Sequence, residues 1–378
     1  MKEQNDFQKT LFTDLTNLVK NSSGEFLTKD YNIEGHPNLI YRVFTYMIPR
    51  FSDFKNPNGL NCRGTMFLVN KETGEAQLVA LPMKKFFSLG EGEKEDLAIK
   101  IEDAKHAYIK EDGSLLTSYI SPIDGKVKLK SKNVPEYLNK DAVMKSVSDA
   151  LFAELQEISE SGISVDLELT TPENRVMMEY SDYNVHVLKA RSLETGEYID
   201  IRSKEFAEKY PVIAEHLVKE VPVSSVDINR KDIEGYVLEF ADGRLLKIKT
   251  IPYLSIVSVI SIQDLNKEGE NLYRAALDEV LDEVRSMFVY KARSPNYNLD
   301  QRLANVDKVE AYAKRTYHDM VKKVNELYES NKHLERGDFA RAVKDEKQLM
   351  PLLMQLYTGG KADYKQTAIK IYAKNALK

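Results

Sequence analysis

Along the first thirty residues the apolar positions Phe7, Leu11, Leu15 and Leu18 recur at helical spacing. They stop at the polar run Asn21-Ser22-Ser23-Gly24, which predicts one helix and its exit. From about residue 38 to 250 the period changes. Short β-branched or aromatic runs alternate with Gly, Pro, Asn and Asp clusters, the pattern of strands and tight turns. Runs 65–69 and 76–80, 114–120 and 126–130, and 235–240 and 244–249 each flank a short turn segment and read as three hairpins. Helical interludes fall near 136–160 and 203–217. After about residue 262 strand signals vanish. Leu272, Ala275, Ala276, Val280 and Val284 keep helical spacing, as do Val306, Val309, Tyr312 and Ala313, then Leu352, Leu353, Leu356 and Tyr357. The expected fold is α+β: a first domain of antiparallel sheets over residues 1–258, then an all-helical C-terminal domain over 259–378.

Composition agrees with that plan. A chain of 378 residues suggests two domains or more, and 42% apolar with 30% charged residues gives material for folded cores. No run of 18 apolar residues occurs, so no membrane span is expected. The polar start Met1-Lys2-Glu3-Gln4-Asn5-Asp6 lacks the layout of a signal peptide. The single cysteine, Cys62, excludes an intrachain disulfide and a multi-cysteine metal site; a structural place is expected for it. A cytoplasmic protein is the expectation, with a monomer as the default state. The net charge is −5, but residues 1–260 carry −8 and residues 261–378 carry +3. A positive C-terminal module suits a polyanion, although ordinary variation also produces a surplus of this size.

Several chemistries are absent. Gly359-Gly360-Lys361 is followed by Ala362 and is no P-loop, and Gly90-Glu91-Gly92 lacks the third glycine of a dinucleotide fingerprint. Zinc-protease and nucleophile-elbow motifs are missing as well. The informative stretch is Lys110-Glu111-Asp112-Gly113, set between the apolar Ala107-Tyr108-Ile109 and a strand. A lysine attacks phosphorus as the neutral amine, so a nucleophilic lysine calls for a pocket that disfavours its charge. Gly113 lets the backbone pass close to a bound base or sugar. Alone, K-x-D-G is a weak pattern, common in exposed turns. Downstream, Asp166 and Glu168 share one face of the strand around Val165-Asp166-Leu167-Glu168-Leu169, and Glu234 opens a strand at Gly235. Lys247 and Lys249 share a strand face about 6.5–7 Å apart, a spacing that suits two phosphate oxygens.

This ordered set resembles the signature of the covalent nucleotidyltransferases, the ATP-dependent ligases and capping enzymes. Further elements narrow the likeness. Tyr41-Arg42-Val43-Phe44-Thr45-Tyr46, Asn61-Cys62-Arg63-Gly64-Thr65-Met66-Phe67 and Pro82-Met83-Lys84-Lys85-Phe86-Phe87-Ser88-Leu89 resemble elements of the tailed-phage RNA ligase 1 family. So do Leu129-Lys130-Ser131-Lys132, Pro172-Glu173-Asn174-Arg175-Val176 and Glu194-Thr195-Gly196-Glu197-Tyr198-Ile199, and, near the C-terminus, Asn331-Lys332-His333 and Met354-Gln355-Leu356-Tyr357-Thr358-Gly359. The chain departs from the family at Lys84, Ser88, Leu129 and Asn133, none of them a reactive position.

The resemblance implies an ATP-grasp-like adenylyltransferase domain followed by a helical RNA-binding domain associated with tRNA. It implies ATP-dependent joining of RNA 5′-phosphate and 3′-hydroxyl ends through AMP carried on Lys110. Tyr46 would lie at the ATP site, and Arg63 and Lys85 would hold the triphosphate with Phe87 packed nearby. Lys132 would sit on the nucleotide or RNA phosphate path. Glu168 would contact the ribose or a metal-bound water, and Glu234 would orient the lysine or the metal shell. Lys247 and Lys249 would neutralise the α-phosphate, with Tyr253 lining the site. Mg2+ is implied, with Asp282 as a candidate contact against the reading of a solvated helix face. The rival readings are a capping enzyme or DNA ligase, which should carry a barrel after the last motif, and a non-catalytic RNA-binding protein with a decayed ligase domain.

Overall fold

The computed structural model describes residues 4–47, 49–92, 99–173, 180–254, 268–291, 298–360 and 362–377. The expected boundary at 258/259 and the motif residues 174–176 lie outside the described residues. The chain divides into two compact units, Met1–Tyr253 and Leu254–Lys378.

The first unit opens with the helix Asp6–Asn21, where the Asn5 side chain accepts from Gln8 N–H. Among the described residues fourteen strands follow: β1 (Phe26–Ile33), β2 (His36–Tyr46), β3 (Thr65–Asn70), β4 (Ala76–Ala80), β5 (Phe87–Ser88), β6 (His106–Lys110), β7 (Ser114–Ile120), β8 (Val127–Ser131), β9 (Ile163–Thr170), β10 (Asn184–Ser192), β11 (Tyr198–Ile199), β12 (Glu220–Val221), β13 (Gly235–Glu239) and β14 (Leu245–Lys249). They build three sheets, in the orders β1-β2-β3-β4, β11-β10-β9-β7-β8 and β12-β6-β13-β14-β5.

All three expected hairpins are present, as β3–β4, β7–β8 and β13–β14. Two features differ from the sequence reading. Strand structure begins at Phe26 rather than near 38, because Thr28-Lys29-Asp30 is a polar stretch of an edge strand, paired to β2 and half in solvent. The sheets are antiparallel except where the two-residue β5 runs parallel to β14, Leu246 opposite Phe87.

Burial follows the pattern of apolar positions. Leu11, Leu15 and Leu18 of the first helix pack on Phe44, Phe67 and Leu78 of the first sheet. Its other face, with Tyr41, Val43, Met66 and Leu68, meets Tyr119 from the second sheet. The far side of the second sheet is covered by the helix Asp149–Glu160, whose Leu151, Leu155 and Ile158 lie over Val165, Leu167 and Leu169. Each such fully buried side chain contributes about 1.5–3 kcal/mol. The third sheet carries the ends of β6, β13 and β14, and those ends hold the charged residues singled out above.

The second unit is helical throughout its described residues. Its centre is the helix Leu299–Asn331, with Val306, Val309, Ala313, Met320 and Val324 buried along one stripe. Helices Glu268–Leu277, Leu281–Lys291, Met350–Tyr357 and Tyr364–Tyr372 belong to the same unit. Arg285, itself buried, reaches Asp307 at 2.7 Å and Glu310 at 2.5 Å. No helix among the described residues is long and apolar enough to cross a membrane.

Candidate active site

Strand register brings the distant motifs together. Gly235 lies opposite both Lys110 on β6 and Lys249 on β14. Glu234, the residue before it, therefore falls between two lysines. Its Oε2 accepts from Lys110 Nζ at 2.5 Å and its Oε1 pairs with Lys249 Nζ at 2.9 Å. Gly235 permits this: a Cβ there would stand 2.2 Å from the Ile248 carbonyl oxygen, forcing β13 and β14 apart. Burial works against the Glu234 charge, but Lys110 and Lys249 outweigh it and hold the carboxyl below its ordinary value.

The segment Lys110–Gly113 is the crossover from the third sheet to the second. Gly113 runs against β9, where a Cβ would meet the Leu169 carbonyl oxygen at 2.3 Å. Its N–H donates to Glu168 Oε1 at 3.1 Å. Burial pushes Glu168 up to about 7, against the pull of Lys110. Asp112 is buried, its N–H donates to the Tyr180 hydroxyl at 2.8 Å, and Tyr253 donates to its Oδ1 at 3.3 Å. Tyr253 also lies under Lys249, 5.1 Å from Nζ to ring centroid.

Lys110, Gly113, Glu168, Arg63 and Lys247 line one cavity of about 230 Å³, with Phe86 in its wall. Phe86 is flanked by the Arg63 guanidinium at 5.9 Å and by Lys247 Nζ at 5.5 Å. Arg63 Nη1 is buried and has no hydrogen-bond partner among the described residues. A buried guanidinium nitrogen without an acceptor costs free energy, and an anionic oxygen would relieve it.

Two further expected residues, Lys132 and Lys85, lie near Tyr46. Lys132 Nζ stands 4.1 Å from its ring centroid. Burial alone would push the Tyr46 phenol up, but Lys132, Lys85, Arg63 and Lys247 together hold it below its ordinary value. Lys85 Nζ donates to Glu91 Oε1 at 2.9 Å and lies 4.9 Å from the Phe87 ring. Phe87 packs edge-on against Phe51 and Phe54, and is not among the residues lining the Lys110 cavity. Asp282 stands in the first turn of the helix Leu281–Lys291 of the second unit. Among the described residues no three His, Cys, Asp or Glu side chains gather as a metal cluster.

Sequence reasoning missed Arg191 and gave no separate role to Asp166 and Lys130, the residues behind this face. Arg191 is buried and ties loops together, donating to Asn61 Oδ1, the Pro82 carbonyl and the Gly196 carbonyl. Asp166 accepts from Thr117 Oγ1 at 2.6 Å and Met83 N–H at 2.7 Å, and burial pushes it up to about 6. Lys130 donates to the Gly64 and Ser131 carbonyls, and burial brings it down to about 7. Strand alternation places Asp166 and Glu168 on one face; it does not say that Asp166 would be enclosed and Glu168 left at the cavity.

Among solved structures, the chain resembles two forms of an archaeal ATP-dependent RNA ligase. Form 1 is 13% identical, with 93% of each chain covered and a TM-score of 0.49; form 2 is 10% identical, with 92% of this chain and 96% of that one covered and a TM-score of 0.47. A Naegleria gruberi RNA ligase with pyrophosphate is 11% identical, over 61% of this chain and 97% of that one, at a TM-score of 0.33. The sequence pattern of the RNA ligase family of the T4 RNA ligase 1 type matches residues 61–297, a stretch that holds Arg63, Lys110, Glu168, Glu234, Lys247 and Lys249, and the chain belongs to this family of ATP-dependent RNA ligases.

Proposed function

We propose that this ligase seals RNA 5′-phosphate to RNA 3′-hydroxyl ends in three nucleotidyl transfers, acting as a monomer on nicked tRNA. The observation that carries the reading is Lys110, held by Glu234 in the lining of a cavity that also presents Glu168, Lys247 and Arg63, whose buried Nη1 has no hydrogen-bond partner among the described residues. In the first transfer Lys110 Nζ attacks the α-phosphorus of ATP, an N–P bond forms and the bond to pyrophosphate breaks. The resting ion pair with Glu234 must open and the ammonium proton leave before the nitrogen can attack. Glu234 is a positioning and charge partner here, since its own charge is favoured by two lysines. In the second transfer an oxygen of the RNA 5′-phosphate attacks the same phosphorus and Lys110 leaves as the amine. In the third the 3′-hydroxyl attacks the RNA phosphorus and AMP leaves.

Each step is a substitution at phosphorus, so catalysis is positioning and charge stabilisation. Arg63, Lys85 and Lys132 around Tyr46 receive the triphosphate. Lys85 exchanges Glu91 for a phosphate oxygen. Lys247 and Lys249 neutralise the α-phosphate, Gly113 admits the nucleoside, Glu168 accepts from its ribose, and Tyr253 supports Lys249 and Asp112. The donor set fits magnesium held mainly by phosphate and water, with Glu168 as the protein group of this unit that would hold its shell. Both Glu234 oxygens are already taken by lysines. When bound, magnesium would supply charge neutralisation for the leaving pyrophosphate. The +3 surplus of the helical unit is the surface we assign to tRNA selection.

Intact mass after incubation with ATP and Mg2+ tests the core of this reading. One AMP adduct on the native chain, lost in Lys110→Ala, supports it. Labelling by GTP in place of ATP would favour the capping reading, and the absence of any adduct from pyrophosphate-free enzyme would overturn it. Sealing of a nicked anticodon loop in preference to an unrelated oligonucleotide tests the substrate.

A further inference from the structure

A second opening, of about 540 Å³, lies beside the Lys110 cavity within the sheet unit. Its size falls in the range of about 300–1,000 Å³ typical of ligand clefts. The two openings share walls, since Phe86 and Leu245 line both. The floor of the second is aromatic and aliphatic. Phe51 and Phe87 meet there at 4.7 Å between ring centroids, and Phe240 closes one end at the β13–β14 turn. Ile99 lines it from another segment. The lining carries Lys84, Lys85 and Arg244; Lys85 pairs with Glu91 at 2.9 Å and Arg244 with Asp242 at 2.6 Å, both pairs within reach of exchange for a phosphate. Lys84 and Arg244 are exposed, and the Arg244 guanidinium stands 5.8 Å from the Phe240 ring.

An apolar aromatic floor with cations at its rim is the chemistry of a single-stranded nucleic-acid subsite. The rings take a base by stacking and the cations track the backbone. Position sharpens the match. The partition ring, Phe86, has Arg63 at 5.9 Å and Lys247 at 5.5 Å from its centroid. A base in the groove against Phe86 therefore has its 5′-phosphate beside the cations that face Lys110.

We propose that this groove binds the 5′-terminal nucleotide of the RNA strand that carries the 5′-phosphate, and so sets up the second nucleotidyl transfer; the assignment rests on the ligase reading above. In that transfer an oxygen of the RNA 5′-phosphate bonds to the phosphorus of lysyl-AMP. The N–P bond to Lys110 breaks, and the departing nitrogen takes up a proton. The groove residues do none of this chemistry; they hold the strand while it happens.

The test uses the full chain, ATP, Mg2+ and a 5′-phosphorylated single-stranded RNA. Ile99→Trp fills the groove. Lys84→Glu reverses charge on an exposed side chain, so it tests the rim without disturbing a core. Lysyl-AMP formation from ATP, read by intact mass, should stay within about twofold of native in both, which also reports correct folding. Single-turnover transfer of AMP from the enzyme to RNA should fall by about tenfold, the size of one lost base stack, and Lys84→Arg should keep it. Unchanged transfer in both variants overturns the proposal. So does a raised KM for ATP with RNA transfer intact, which would give the groove to the triphosphate. Loss confined to sealing of RNA that is already adenylylated would give it to the 3′-hydroxyl strand and overturns it too. A native chain that never forms lysyl-AMP would instead sink the ligase reading itself.

Discussion

Arg63 and Arg191 both serve the loop that follows Asn61, and they are satisfied in opposite ways. Arg191 donates to Asn61 Oδ1 and Pro82 O from Nη1 and to Gly196 O from both Nε and Nη2, all neutral acceptors. Arg63 keeps a buried Nη1 with no partner among the described residues. The same contrast separates Asp166 from Glu168 and Lys130 from Lys110. Asp166 and Lys130 are fully enclosed and bonded to hydroxyl, N–H and carbonyl groups. Glu168 and Lys110 face a cavity: Glu168 has the Gly113 N–H and is pushed up mainly by burial, and Lys110 pairs with the Glu234 charge. Charges met by fixed neutral dipoles hold the frame. Charges met by mobile charges, or by space, can be re-engaged by a phosphate or a ribose.

The largest break in this contrast is expected at Glu234. Glu234→Ala leaves two lysines sharing a site with no counter-charge. Breaking a buried pair costs about 3–5 kcal/mol, read as a lower urea midpoint. Lysyl-AMP formation should fall at least about a hundredfold, on the scale of one lost catalytic electrostatic contact. Glu234→Gln, which keeps the shape, should lie between. An unaltered adduct rate in Glu234→Ala would refute the positioning role.

The two arginines sharpen the contrast further. Arg191→Met should cost about 3 kcal/mol, because Pro82 O and Gly196 O lose a charged donor in a buried place. Arg63→Met should change stability by less than about 0.5 kcal/mol yet slow lysyl-AMP formation about a hundredfold. Paired denaturation and adduct-rate measurements decide it. If both variants unfold early, Arg63 belongs to the frame and its assignment to phosphate fails.

Sequence reading works best where a local rule decides the outcome. Period-2 runs with turn residues located the three hairpins, and helical spacing located the first helix and the second unit. The strand Phe26–Ile33 escapes sequence reading because its polar Thr28-Lys29-Asp30, half in solvent on an edge strand, interrupts any run of apolar alternation. The residues that gather at the Lys110 cavity stand out in the sequence because each sits near a strand end or turn with a motif around it. Arg191 does not, since Ala190-Arg191-Ser192 looks like any strand, and only tertiary contact shows the loops it ties together. Phe86 and Phe87 stood side by side in one motif. Which of them walls the Lys110 cavity depends on the direction in which that chain enters β5, a matter the motif alone leaves open.

A smaller effect is expected from Glu168, and it has a definite sign. The carboxyl rises from an ordinary 4.5 to about 7 in the fold. Between those values the native state holds a proton that the unfolded chain has released. Its stabilising contribution is therefore complete below pH 4.5 and is lost as pH rises through 7. Asp166, raised to about 6, adds to the same slope. Glu168→Gln should flatten the fall in urea midpoint over that window, while native lysyl-AMP formation should climb through pH 7 as Glu168 ionises. A slope unchanged by the substitution would mean that Glu168 titrates normally.

The smallest effect is expected at Cys62, which neighbours Arg63 in sequence but belongs with the frame. It is fully buried, and its thiol donates to the Thr45 carbonyl at 3.3 Å. Burial pushes the thiol up, against the pull of Lys132, so the reactive thiolate is scarce at neutral pH. Cys62→Ala should cost about 1 kcal/mol, the ordinary scale of a point substitution, and leave adduct formation near native. Folded enzyme should likewise resist thiol-alkylating reagents. Rapid inactivation of the native chain by such a reagent, abolished in Cys62→Ala, would move Cys62 across the divide, from the groups that hold the Arg63 loop to those that open onto the site.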